Sequence, residues 1–213
     1  MKFKTYIWDF DGMLFNTYPR MCDAFLKALS ENGIGESRSH AMTAIKKSVR
    51  SAVKEYAAAF GRDPQKLSAD YHRIEDGMGP ETIIPYPDTF GFLSAVKAQG
   101  GKHFLYTHRN RVAIEALKRY DMYSMFDGFI TADDPFPVKP APDALLYLVR
   151  RYEIDPKTAL MLGDRDIDIL AAKNAGLAGC LVDPEHFYDD FDTPLKCGGI
   201  RELHALLDVK LPQ

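Results

Sequence analysis

The chain has 213 residues, 46% hydrophobic and 27% charged, an ordinary balance for one or two globular domains with a sizeable core. Its 27 basic and 30 acidic side chains leave a net charge of −3, which offers no footprint for nucleic acid or an anionic membrane. No apolar run reaches the ~18 residues of a membrane span. The N-terminus meets charge before a signal-peptide core can form, and three cysteines without CxxC spacing fit a reduced, cytoplasmic protein.

The first apolar run, Tyr6–Phe10 within YIWDFDGMLFNTYP, reads as a strand, with Gly12 marking the point where the backbone leaves it. Side chains alternate along a strand, so Asp9 and Asp11 are expected on one face. Buried carboxylates are costly unless paired, hydrogen-bonded or metal-bound. Taken alone, the DxD reads at least as readily as an accidental acidic strand end as it does as a site with a nucleophile, a proton donor and a cation. From Phe15 to Ile84 only helical patterns follow. Ile45, Val49, Val53 and Tyr56 recur at helical spacing, and Lys46, Lys47, Arg50 and Lys54 between them read as a solvated helix face. This stretch suits a small helical domain, residues 16–84, inserted into a domain made of residues 1–15 and 85–213. Gly77–Asp88, GMGPETIIPYPD, suits the return hinge.

Four further strands are expected at His103–Thr107, Gly128–Thr131, Ala159–Leu162 and Gly179–Val182. Helical patterns at Phe90–Lys97, Arg111–Tyr120, Ala144–Tyr152 and Asp166–Asn174 precede them in turn. Strand alternating with helix argues a doubly wound, Rossmann-like α/β domain on a parallel five-stranded sheet. Ligands of such sheets bind beyond the C-terminal strand ends. Polar residues gather there: Thr107 in FLYTHRN, Lys139 between prolines in FPVKPAPD, and Asp164 with Asp168 in LMLGDRDIDILAAKNAG. Singly they read as a helix N-cap, an exposed loop lysine that adds little to packing, and acids favoured by a helix dipole. Jointly with Asp9 and Asp11 they suit phosphoryl transfer through an aspartyl-phosphate. A carboxylate nucleophile splits hydrolysis into two displacements. Mg²⁺ takes hard oxygen ligands and offsets the repulsion between carboxylate and phosphate. Hydroxyl, amide and ammonium neutralise the phosphate oxygens.

These four stretches, in order and across nearly the whole chain, resemble the haloacid dehalogenase-like superfamily, in its subgroup with a helical cap after the first strand. The resemblance implies Asp9 as nucleophile and Asp11 as general acid, then base. It implies Mg²⁺ on Asp9, the backbone carbonyl of Asp11 and Asp164, with Asp168 beside it or bound through water. Thr107, the amide of His108 and Lys139 would hold the phosphate, and the sheet order would be 5-4-1-2-3. Met13, Asn16, His108 and Asp88 depart from the residues frequent at those positions. The expected function is a phosphatase for a small phosphorylated metabolite, phosphoglycolate-like or a sugar phosphate, in a monomer or homodimer. A sugar-phosphate mutase and a non-catalytic binding protein remain as alternatives. The second acid, Asp11, speaks against dehalogenation. No HExxH, P-loop, GxGxxG or GxSxG occurs. The inserted helices would limit substrate size by closing over the site, with Arg50 and Lys54 either facing it or facing solvent.

Overall fold

The computed structural model describes residues 1–210. They fall into two compact units, residues 16–84 and the remainder. Among them no helix is long and apolar enough to cross a membrane.

In the larger unit, β1 (Thr5–Trp8) is the central strand and is buried along its whole length. Its apolar run without polar alternation is what burial on both faces demands of a parallel strand. Ile7 pairs with Phe104 on one side and Met161 on the other. The chain continues through α5 (Thr89–Ala98), β2 (Lys102–Tyr106), α6 (Val112–Arg119), β3 (Phe126–Ile130), α7 (Asp143–Arg151) and β4 (Ala159–Gly163). Then come α8 (Asp166–Asn174), β5 (Ala178–Val182), β6 (Lys196–Cys197) and α9 (Ile200–Leu206). The sheet is parallel, in the order β3-β2-β1-β4-β5-β6.

The sheet thus has six strands where five were expected. Two residues are too few for a period-2 pattern, so β6 is visible only through its pairing, Val182 with Cys197. One face packs Ile7, Phe104 and Met161 with Leu145 and Leu148 of α7 and Ala171 and Ala172 of α8. On the other face the rings of Tyr6 and Trp8 meet Phe92 of α5 edge-on, 6.1 and 5.6 Å between centroids. Trp8 Nε1 donates to Nδ1 of buried His103 at 2.9 Å, and the opposite ring nitrogen of His103 reaches the Leu93 carbonyl at 3.1 Å. Burial drives the His103 pKa down to about 4, so the ring is a neutral core group.

The first strand stops at Trp8, two residues short of the expected end. Asp9 still donates its amide to the Leu162 carbonyl at 2.9 Å. The Phe10 carbonyl then accepts the amides of Leu14 and Phe15 at 3.1 and 3.0 Å, and Gly12 takes φ +75°. This curl removes Asp9 and Asp11 from a common strand face. At β1 the chain order also reverses, since β2 lies to one side and β4 to the other. That is the switch point where a crevice opens beyond the strand ends.

The inserted unit holds α1 (Tyr18–Glu31), α2 (Arg38–Lys47), α3 (Val49–Ala59) and α4 (Pro64–Asp76). They close on their own core of Phe25, Leu29, Ile45, Val53, Leu67 and Tyr71. The helical spacing from Ile45 to Tyr56 crosses a break between α2 and α3. Ser48 is extended there and caps α3, its hydroxyl accepting the Ser51 amide; Ser is strongly preferred at such a position. Lys47, Arg50 and Lys54 are exposed. Lys46 is buried, with its ammonium 5.1 Å from the Tyr18 ring centre, and does not belong to a solvated face.

Candidate active site

The strand ends bring together residues far apart in the chain. Asp9 leaves β1 with its side chain buried, and its Oδ1 accepts from Lys139 Nζ at 2.7 Å. The same ammonium donates to Asp168 Oδ1 at 2.7 Å and lies 4.6 Å from the Tyr106 ring centre. The Lys139 side chain is fully buried, contrary to the exposed loop lysine its sequence context suggests. Prolines on both sides leave the loop few conformations, and two carboxylates draw the ammonium inward.

Asp164 follows the last residue of β4 and is buried too. One carboxylate oxygen each from Asp9, Asp164 and Asp168 lies within 4.8 Å of the others. Asp168, the third residue of α8, accepts the Arg165 amide through Oδ2 at 3.2 Å. Gly163 makes this approach possible, because a Cβ there would stand 2.3 Å from the Asp168 side chain.

Asp11 lies outside this triad. Its Oδ1 accepts from Arg109 Nε at 2.8 Å, and its side chain is 19% exposed. Thr107 does not cap α6, which starts five residues later. Its hydroxyl accepts the Arg109 amide at 3.0 Å, a local turn of a kind Ser and Thr often form. The His108 side chain accepts the Lys139 backbone amide at Nε2, 2.9 Å away. Burial, aided by the charges of Lys139 and Arg165, holds the His108 pKa at about 4. The ring is therefore neutral with its proton on Nδ1, and it fixes the lysine loop.

The sequence reading missed Arg109 and Tyr106. Arg109 stands two residues after Thr107, yet nothing local to THRN shows that it meets Asp11. Tyr106 closes β2 as an apolar strand residue, and only the sheet reveals the ammonium on its ring.

Burial is the largest influence on Asp9 and raises its pKa to about 6; the Lys139 ammonium pulls it back and Asp168 pushes it up. Burial alone would lower the pKa of Lys139, but Asp168 and Asp9 outweigh it and hold the ammonium charged. Lys139 pairs with Asp9 and Asp168, and Asp9 Oδ2 has no hydrogen-bond partner although it is buried. Three clustered carboxylates with a spare oxygen on Asp9 fit a hard divalent cation such as Mg²⁺.

The haloacid dehalogenase-like hydrolase family profile matches residues 6–182. A pyrophosphatase PpaX of Halalkalibacterium halodurans is 26% identical over 98% of this chain and 97% of its own. Among solved structures, a hydrolase from Streptococcus pneumoniae TIGR4 is 30% identical with a TM-score of 0.66, covering 98% of this chain and 100% of that one. A predicted phosphoglycolate phosphatase from Haemophilus somnus shares the fold, with a TM-score of 0.79, 18% identity, and coverage of 97% and 99%.

Proposed function

This chain belongs to the haloacid dehalogenase-like hydrolases, and from that premise we propose a Mg²⁺-dependent phosphatase that hydrolyses a small phosphomonoester through an aspartyl-phosphate on Asp9. The observation that carries the reading is Asp9 itself: one oxygen held by Lys139, the other buried without a partner. A structural carboxylate at that depth would have both oxygens satisfied.

Asp9 attacks the phosphorus, and the bond to the leaving oxygen breaks as Asp11 hands that oxygen a proton. Asp11 then takes a proton from water, whose oxygen displaces Asp9 and releases phosphate. Thr107, the amide of His108 and Lys139 bind the phosphoryl oxygens and stabilise the charge that spreads over them in the transition state. Lys139 also orients Asp9, and His108 holds the lysine loop from behind. Asp9, Asp164 and the Asp11 carbonyl, with Asp168 alongside, would hold Mg²⁺, which would supply charge neutralisation between nucleophile and phosphate.

The test is phosphate release from 2-phosphoglycolate, sugar phosphates and pyrophosphate, with Mg²⁺ and with chelator. The names of the relatives put 2-phosphoglycolate and pyrophosphate first. Release is expected only with Mg²⁺, and a borohydride quench during turnover is expected to convert Asp9 to homoserine. Full activity in chelator removes the metal from the mechanism. Isomerisation of a bisphosphate-primed sugar phosphate with little phosphate released would replace phosphatase by mutase.

A further inference from the structure

The pairing of Arg109 with Asp11 has no part in the chemistry above. Its Nε donates to Asp11 Oδ1 at 2.8 Å, and the two side chains are only 10% and 19% exposed. Both ends of the arginine are anchored. Its amide is held by the Thr107 hydroxyl at 3.0 Å, and its carbonyl accepts the Ala132 amide at 2.9 Å. The guanidinium is thus placed by the end of β2 rather than by a mobile surface loop.

Its neighbour decides what it can do. In the proposed reaction Asp11 is the group that meets the leaving oxygen, so whatever touches Asp11 also borders the leaving group. Lys139 pairs instead with the nucleophile Asp9 and with Asp168. A guanidinium beside the departing half attracts a carboxylate or phosphate there, and its planar fork matches two such oxygens. It gives a neutral alkyl or hydroxyl group no comparable charge-assisted bond. If Arg109 leaves Asp11 for an anion on the substrate, one anionic partner replaces another and its charge stays paired. A neutral leaving group offers no such exchange.

We propose that Arg109 is the specificity-determining residue of this site and selects phosphate esters or anhydrides whose leaving group itself carries a negative charge. This rests on the phosphatase reading and names the substrate class within it.

The experiment compares 2-phosphoglycolate with ethyl phosphate, matched in size and differing in the carboxylate, in wild type, Arg109→Ala, Arg109→Gln and Arg109→Lys with Mg²⁺. Melting temperatures confirm which variants fold. Wild type is expected to favour 2-phosphoglycolate in kcat/KM. Arg109→Ala and Arg109→Gln are expected to cut that preference roughly 10- to 100-fold, the scale of one hydrogen bond to a charged group, while Arg109→Lys keeps part of it. Pyrophosphate against phenyl phosphate gives the same comparison for a phosphate leaving group. Equal losses on both members of each pair would overturn the proposal, leaving Arg109 as a positioning residue for Asp11. So would a wild type that shows no preference for the anionic member. Failure of wild type to hydrolyse any of the four overturns the phosphatase reading first, and this inference with it.

Discussion

Two buried cations, one in each unit, live in opposite surroundings. Arg20 on α1 faces one carboxylate and three neutral acceptors. Its Nε lies 3.5 Å from Glu75 Oε1, Nη2 bonds the Glu75 carbonyl at 2.5 Å, and Nη1 bonds the Gly79 carbonyl and Thr82 Oγ1 at 3.1 and 2.6 Å. Each of its three nitrogens has a partner, and the arginine ties α1 to the end of α4 and the turn after it. Lys139 faces two carboxylates with a third nearby, and Asp9 Oδ2 is left over. That group is incomplete. Burial of a charge therefore says little by itself. Whether the polar atoms around it are all satisfied separates a structural pair from a site built to receive something else.

The sharpest way to break this comparison is Asp9→Asn. Phosphate release is expected to fall by roughly 10⁴-fold or more, the order seen when a nucleophile is removed. Metal-free thermal stability is expected to match or exceed wild type, because a pKa raised to about 6 means that folding disfavours the charge of Asp9. Calorimetry with chelator checks this, and a clear fall in melting temperature would make Asp9 a structural partner of Lys139. Mg²⁺ is expected to raise the melting temperature of wild type far more than that of the variant.

Next in size are the two cations themselves. Arg20→Met leaves Glu75 without its guanidinium and is expected to cost about 3–5 kcal/mol in urea unfolding, with or without Mg²⁺. Lys139→Met strands Asp9 and Asp168 together and is expected to cost a similar amount in chelator. Mg²⁺ should restore much of that loss, since a divalent ion can take over the neutralisation. An equal, metal-independent loss in both variants would erase the distinction drawn between them. The expectation that a loop lysine adds little to stability applies to exposed lysines, and the full burial of Lys139 withdraws it.

The smallest effect comes from a buried group with no net charge to balance. His103 has its pKa lowered by burial from 6.5 to about 4. A base held below its ordinary pKa stabilises the fold at high pH. Its contribution is complete above about 6.5 and is lost as pH falls toward about 4, because the unfolded chain binds the proton first. By pH 5 each such histidine is expected to have cost about 2 kcal/mol. His108 acts in the same direction, while Asp9, shifted upward, opposes both. Urea unfolding at pH 7 and pH 5 should therefore show wild type weakening, and His103→Gln weakening by less. An unchanged pH slope in the variant would mean that His103 titrates normally inside the core.

The sequence by itself determined the alternation of strand and helix, because each apolar run is short, bounded by turn residues and followed by a helical period. It also marked Asp9, Asp11, Thr107, Lys139, Asp164 and Asp168 as polar residues at strand ends, since a carboxylate closing a buried strand is conspicuous whatever its partner. The tertiary structure decided who meets whom. Lys139 reaches Asp9 across 130 positions, and Arg109 reaches Asp11 across 98. Local patterns carry no record of such distances, which are set by strand order and by where each strand stops. The curl after Trp8 separates Asp9 from Asp11, the bare Cα of Gly163 admits Asp168, and two-residue β6 exists only through β5. Periodicity is a property of neighbours along the chain. A charge cluster is a property of neighbours in space, and only the packed sheet brings those together.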